Sequence, residues 1–204
     1  AKRIAQKNGE YVGSTAPYGY CVEKINGICK LIVEPEAAKI VRRIFEEYAS
    51  GDGIQSIIDR LFEDGVHRIS DYNQYHHVYC QDGENLHQWG NSSIRAVLNR
   101  NNYYGDLVQR KYESRFQRGE KWCDILDESQ WIITPNAHEP IISRELFDKA
   151  QIRLKAAQQK ATKTTEGWED DERAFYNVFY CGDCKRKMCT RRYRGNVYYF
   201  CNAA

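Results

Sequence analysis

Near the end of the chain, Cys181 and Cys184 flank Gly182 and Asp183, the spacing best suited to chemistry anywhere in the sequence. A two-residue gap lets a tight turn bring both thiolates onto one ion, and the glycine eases the turn. Arg194-Gly195-Asn196 then predicts a hairpin that returns Cys201 to the same neighbourhood. Cys181, Cys184 and Cys201 are therefore three candidate ligands of a structural zinc, half of a ribbon-type site. A tetrahedral site needs a fourth ligand. Residues beyond Ala204 are expected to supply it, with Cys189 on the hairpin strand as the alternative. The competing reading of Cys-x-x-Cys is redox chemistry, but such a pair opens a helix in a βαβ setting that is absent here.

Other candidate groups carry weaker signals. His67, His76, His77 and His87 sit in a polar stretch from His67 to Gln88, longer than most connections. Histidines invite a metal reading. Their spacing matches no standard zinc pattern, and adjacent His76 and His77 point apart on a strand. An exposed loop is expected there. His138 beside Glu139 suggests acid–base chemistry, but no nucleophile accompanies it, so a structural hydrogen bond is expected.

The elements that must position these groups are most legible from Gly51 to Asp106. Ile54, Ile57, Ile58, Leu61 and Phe62 recur with helical period and predict one amphipathic helix. Asp52 with Gln55 is a plausible capping-box variant, and Gly65 a good stop. A second helix has Asn91, Ser92 or Ser93 as its cap and Ile94, Val97 and Leu98 facing inward. Its first turn then presents Asn91, Ser92, Ser93 and Arg95 outward, a set suited to base edges in a DNA major groove. A helical hairpin with ordinary polar caps fits the same pattern.

Upstream, Lys2 to Gly13 reads as a helix end running into a connector, with Lys2, Arg3 and Lys7 available to a DNA groove. Strand-like residues surround Asn26-Gly27, the strongest short hairpin signal. Glu34-Pro35 opens a helix with Ile40, Val41, Ile44, Phe45 and Tyr48 inward and acids outward. Downstream, YYGDLVQRKY and QWIITP predict a β-ribbon whose loop is basic through Arg110, Lys111, Arg115, Arg118 and Lys121, a winged arrangement. Ser143 caps a further helix with Leu146, Phe147, Ala150 and Leu154 inward. Residues 158–173, with Glu166, Glu169, Asp170, Asp171 and Glu172, read as a linker.

The 204 residues suffice for one large domain or two small ones, and the net charge is only +2. Its distribution is uneven. Eight acids face four bases between Glu34 and Asp64, whereas seven bases face three acids between Trp89 and Lys121. Six bases and no acid lie between Lys185 and Arg194. Such segregation suits a polyanionic partner, because phosphate neutralisation supplies most non-specific affinity. No signal peptide or long apolar run is visible, so a cytosolic, reducing setting is expected and no membrane partner. The chain starts without Met, as a fragment of something longer would.

Taken in order, several stretches resemble the large serine recombinases, the phage integrases and transposon recombinases. They are Ala16-Pro-Tyr-Gly-Tyr20, Val33-Glu-Pro-Glu-Ala37 with Ile40-Val-Arg-Arg-Ile-Phe45, and Ile57, Leu61 and Gly65-Val66. The series continues with Trp89, Ser93-Ile-Arg95, Val97-Leu98, Tyr103 and Gly105. It ends with Ala137-His-Glu-Pro-Ile-Ile-Ser143, Leu146-Phe147, Cys181-Gly-Asp-Cys184 and Met188. The resemblance implies an α+β fold: a winged helix-turn-helix recombinase domain with small β-hairpins, then a small zinc-ribbon β module. The implied divisions are a connector at 1–13, a recombinase domain at 14–160, a linker at 161–174 and a truncated ribbon at 175–204.

Two departures stand out. Arg100-Asn101 replaces the family's usual Asn-Pro, and the 67–88 insert is closer to the transposon branch. None of Ser14, Ser50, Ser56, Ser92, Ser93 or Ser143 lies in the family's nucleophile motif, so no catalytic residue is carried over. The implied role is sequence-specific binding of duplex DNA at a recombination attachment site. The parent would cut both strands through a phosphoserine linkage and self-associate through its catalytic domain. Asn91, Ser92, Ser93 and Arg95 are expected on base edges and Arg100, Arg110, Lys111 and Arg115 on phosphates. Lys2, Arg3 and Lys7 are expected in the minor groove. A transcription regulator with the same modules is the alternative, as is an RNA-binding ribbon stacking bases on Tyr193, Tyr198 and Tyr199.

Overall fold

The Asn26-Gly27 pair takes left-handed φ values of 50° and 84°, as a two-residue hairpin turn requires. It joins β1 (Tyr20–Ile25) to β2 (Ile28–Val33), antiparallel from Ile25↔Ile28 to Tyr20↔Val33. The computed structural model describes residues 2–114, 123–165, 178–185, 188–193 and 196–201. They divide into two compact units, Ala1–Leu154 and Lys155–Ala204.

In the first unit, α1 (Lys2–Lys7) leads into the expected connector. After the hairpin, α2 (Pro35–Ser50) starts with proline in its first turn. Proline suits that position because the amide it lacks would go unpaired there. Ile40, Val41, Ile44, Phe45 and Tyr48 are buried as expected. Helix α3 (Ile54–Glu63) buries Ile54, Ile57, Ile58 and Leu61, each such side chain contributing about 1.5–3 kcal/mol. Phe62 departs from this face and is 41% exposed. The expected capping box also does not form. Gly53 occupies the N-cap, Asp52 instead pairs with Arg60, and Gln55 bonds Asp59 at 2.9 Å. Arg60 offers the Asp52 carboxylate an opposite charge as well as a donor, where a backbone amide offers a donor alone.

Gly65, at φ 70°, stops α3, with its amide on the Phe62 carbonyl at 3.0 Å. The stretch after it is not a plain loop. It holds α4 (Ile69–Tyr75), and it folds back so that His67 N meets Val78 O at 2.8 Å and Cys80 N meets Gly65 O at 2.8 Å. Helix α5 (Asn91–Leu98) buries Ile94, Val97 and Leu98. Its N-cap is Gly90 rather than Asn91, Ser92 or Ser93, and no side chain caps it. Asn91 is thereby left to accept from Arg95 Nε at 2.9 Å.

Tyr103 sits at the centre of this unit, 1% exposed. Its hydroxyl donates to the Tyr18 carbonyl at 2.9 Å, and its own carbonyl accepts from Ile141 and Ile142 at 2.9 and 3.0 Å. Gly19 (φ 91°) is required beside it. A Cβ there would lie 2.9 Å from Ile141 Cδ1 and 3.0 Å from Val41 Cγ2.

The expected ribbon forms in two steps. Strand β3 (Leu107–Gln109) pairs with β6 (Ile132–Thr134), and β4 (Tyr112–Ser114) with β5 (Cys123–Ile125). The ribbon loop at 115–122, including Arg115, Arg118 and Lys121, lies outside the described residues. Helix α6 (Arg144–Thr165) begins after Ser143, whose Oγ accepts from Leu146 N at 3.2 Å. Residues of its first half close other helix ends. Arg153 donates to the Tyr48 and Gly51 carbonyls, and Gln151 donates to Leu98 O at 2.7 Å. The helix runs on to Thr165, into the stretch expected as a linker, of which residues 166–174 lie outside the described residues.

In the second unit, β7 (Cys189–Tyr193) pairs with β8 (Asn196–Phe200) from Cys189↔Phe200 to Tyr193↔Asn196. This is the hairpin anticipated from the sequence. Its turn residues Arg194 and Gly195 lie outside the described residues.

Candidate nucleic-acid interface

Helix α5 is short, and its apolar positions at 94, 97 and 98 anchor it by one face. Asn91, Ser92, Arg95, Ala96 and Asn99 are left exposed on the other, with Ser93 half-buried. Two of the exposed side chains meet, Arg95 Nε donating to Asn91 Oδ1 at 2.9 Å, while Asn99 Nδ2 donates to the Arg95 main-chain carbonyl at 2.8 Å. Arg95 holds no carboxylate among the described residues. Its remaining guanidinium donors have the fork geometry that matches paired acceptors.

Beside this helix end lies a cleft of about 460 Å³. Its walls are Ala96, Asn99 and Arg100 from the end of α5, Val108 to Tyr112 from the ribbon, and Tyr11 to Gly13 with Gln6 from the N-terminal segment. The cleft brings together Arg100, Arg110 and Lys111, which the sequence offered separately. Arg110 adopts φ 57°, pairs with Glu113 at 3.2 Å and reaches Gln130 O at 3.4 Å. Lys111 Nζ lies 4.7 Å from the Trp131 ring centroid and 3.3 Å from Asn101 Oδ1. Burial, then the nearby Arg100 charge, lowers its pKa. The same Arg100 charge opposes the burial that raises the Tyr11 hydroxyl. These cations crowd one concavity, which an anion would relieve.

The N-terminal segment is held into this cleft by one side chain that sequence reading missed. Gln109, 9% exposed, donates to Glu10 O at 2.9 Å and accepts from Val12 N at 3.2 Å. A glutamine on a strand of apolar neighbours was the available signal. Tyr11 N adds a bond to Cys29 O at 2.9 Å. Lys7 is exposed in the last turn of α1. Lys2 and Arg3 belong to the same helix, and their side chains lie outside the described residues, as does Arg115.

Three acids of the outer surface of α2 and α3 are paired with two arginines, and the surface keeps its acidic excess. Arg43 pairs with Glu47 at 2.7 Å and Asp64 at 2.6 Å, and Arg60 with Glu47 at 2.9 Å and with Asp52. His138 plays the structural part expected of it, its Nε2 donating to Asn102 O at 2.7 Å.

Two groups of metal-ligating side chains converge. Cys181, Cys184 and Cys201 offer sulfurs within 4.8 Å of one another, with Cys184 and Cys201 Sγ 3.4 Å apart. The Cys184 and Asp183 amides, followed by the Cys201 and Cys184 thiols, bring Cys181 down to about 7. Three convergent thiols, with Cys181 readily ionised, fit a thiophilic cation such as zinc. Cys189 stands outside this trio, on β7. The second group joins His67 and His77, two of the histidines that invite a metal reading in the sequence, to Glu84, which no sequence spacing marks.

A family model, Recombinase, matches residues 35–157, from the start of α2 into α6. The chain belongs to the Recombinase family. Two solved structures are similar to it at 17% identity over 97% of this chain. One is a chain of an LSR–DNA complex, TM-score 0.45, of which the match spans 50%. The other comes from work on the sequence requirements of the Listeria innocua prophage attP site, TM-score 0.47, with 68% of that chain spanned. The chain thus covers half the length of the first of these.

Proposed function

We propose that this chain is the DNA-binding part of a serine site-specific recombinase and that it reads one side of a duplex attachment site. Family membership supports a role in recombination. The observation that carries the DNA reading is the adjacency of the exposed α5 face to the Arg100–Arg110–Lys111 cleft. A helix that offers Asn91, Ser92, Ser93 and Arg95 to base edges needs flanking cations to fix its register on the phosphates, and the cleft supplies them. In this reading the ribbon acts as a wing, α1 and its connector follow the minor groove, and zinc on Cys181, Cys184 and Cys201 orders the second unit. The chain divides into connector (1–13), recombinase domain (14–160), linker (161–174) and ribbon (175–204). Strand cleavage and self-association belong to a catalytic serine domain of the parent, acting in the cytoplasm.

Selection from a random duplex pool at fixed salt, followed by anisotropy titrations, tests this proposal. Arg95→Ala should cost about 1–3 kcal/mol on the selected site and relax preference at one position. Lys111→Ala should weaken all duplexes alike and reduce the salt slope by about 1. Equal losses on selected and random DNA for Arg95→Ala would remove its assigned role. Preference for single strands would instead favour base stacking on exposed Tyr198.

A further inference from the structure

Glu84 Oε2 receives His67 Nε2 at 3.0 Å, His77 Nε2 at 2.9 Å and the Gln81 amide at 2.9 Å. Two imidazole nitrogens and a carboxylate oxygen thus meet within 4.8 Å. They come from three backbone segments that are themselves tied together. His67 follows the Val66↔Tyr79 bridge and bonds Val78 through its amide, which brings His77 alongside. Gly83, at φ 88°, closes the turn that returns Glu84, whose amide bonds Gln81 O at 3.1 Å. The three side chains are held in place before any ligand arrives.

His67 is the informative member. It is fully buried, and its Nδ1 has no hydrogen-bond partner among the described residues. Tyr75 lies over its ring, centroids 5.1 Å apart. If filling space were its task, an apolar ring would do it without burying an unsatisfied nitrogen. What His67 contributes is Nε2, aimed at the shared oxygen. His77 and Glu84 are partly open to solvent, at 29% and 17% side-chain exposure, so a small ion has a way in and a water can complete its shell.

We propose that His67, His77 and Glu84 form a binding site for a divalent transition-metal cation of the zinc class. Two imidazoles and one carboxylate suit a borderline cation with four ligands. Calcium and magnesium require more oxygen donors than the site offers. The cation would replace the hydrogen-bonded contacts at Glu84 Oε2 and fasten residues 65–67, 77–80 and 81–84 to one another. Those segments lie in the connection between α3 and α5, before and after α4. Trp89 Nε1 bonds Val66 O at 3.3 Å across it, just before α5. The metal would therefore fix the approach to the helix that faces outward, independently of whether that helix binds DNA.

Cobalt(II) titration of the metal-stripped chain tests the site, because cysteine and histidine ligation differ in colour. Sulfur ligands add an intense thiolate charge-transfer band, whereas an imidazole–carboxylate set gives only weak visible bands. The wild-type chain should take up one equivalent more than His77→Ala or Glu84→Gln, and the lost equivalent should carry no thiolate band. Equal stoichiometry in all three chains would overturn the proposal, and so would a lost equivalent bearing that band. Zinc X-ray absorption of the wild-type chain decides without variants. Imidazole outer-shell scattering supports the site, and its absence refutes it.

Discussion

Gln109 is the most economical handle on the N-terminal segment, because one amide satisfies both Glu10 O and Val12 N. In Gln109→Leu the shape is roughly kept, but both bonds are lost. A typical net hydrogen bond contributes about 0.5–1.5 kcal/mol, and a buried group left unpaired costs more. Glu10 and Val12 are only half-buried, so water recovers part of the loss, and about 1–2 kcal/mol is expected. For a unit of this size that corresponds to a fall in Tm of roughly 2–8 °C. The assay is urea unfolding followed by tryptophan fluorescence, with hydrogen exchange at residues 10–12 read in parallel. The Val12 amide should exchange faster in Gln109→Leu by a factor reflecting the same free energy. An unchanged Tm together with unchanged exchange at Val12 would refute the clamp.

Two further perturbations have equally direct readouts. Burial lowers the His138 pKa below its ordinary 6.5 against the opposing effects of Asn102 and Asp106, so protons bind the unfolded chain first. The stability due to neutral His138 is present above about 6.5 and lost as pH falls through the lowered folded value. His138→Gln should flatten urea midpoints over that window, and an unaltered profile would remove His138 as the cause. Ser143→Ala deletes the α6 cap at Leu146 N and should cost about 1 kcal/mol by urea unfolding. No change would mean that the helix start is held by other contacts.

Much of this architecture was legible in the order of the residues because local rules governed it. Asn26-Gly27, Pro35, Gly65 and Ser143 act within a few residues of themselves, and the apolar periods of α2, α3 and α5 mark faces that must be covered. The Cys181–Cys184 turn and the hairpin carrying Cys201 follow the same logic. The side chains of Asp52 and Asn91, which the sequence offers as caps, are taken up instead by Arg60 and Arg95. The Asn91–Arg95 contact is an i,i+4 pair within α5, whereas Asp52 meets Arg60 one turn and more along once α3 has formed.

The cleft and the histidine cluster were not legible, and the reason is separation along the chain. Gln109 reaches residues 10 and 12, and Lys111 shares the Arg100 concavity, only once the ribbon lies beside α5. His67 and Glu84 are distant in sequence and follow no ligand spacing, yet Gly83 and the Val66–Tyr79 bridge fold them together. Residue types and local periodicity are enough to specify turns, caps and buried faces, since these rest on steric and hydrophobic preferences of neighbours. Which polar groups meet, and how much water each retains, depends on long-range packing, and the electrostatics of the cleft and cluster arise there.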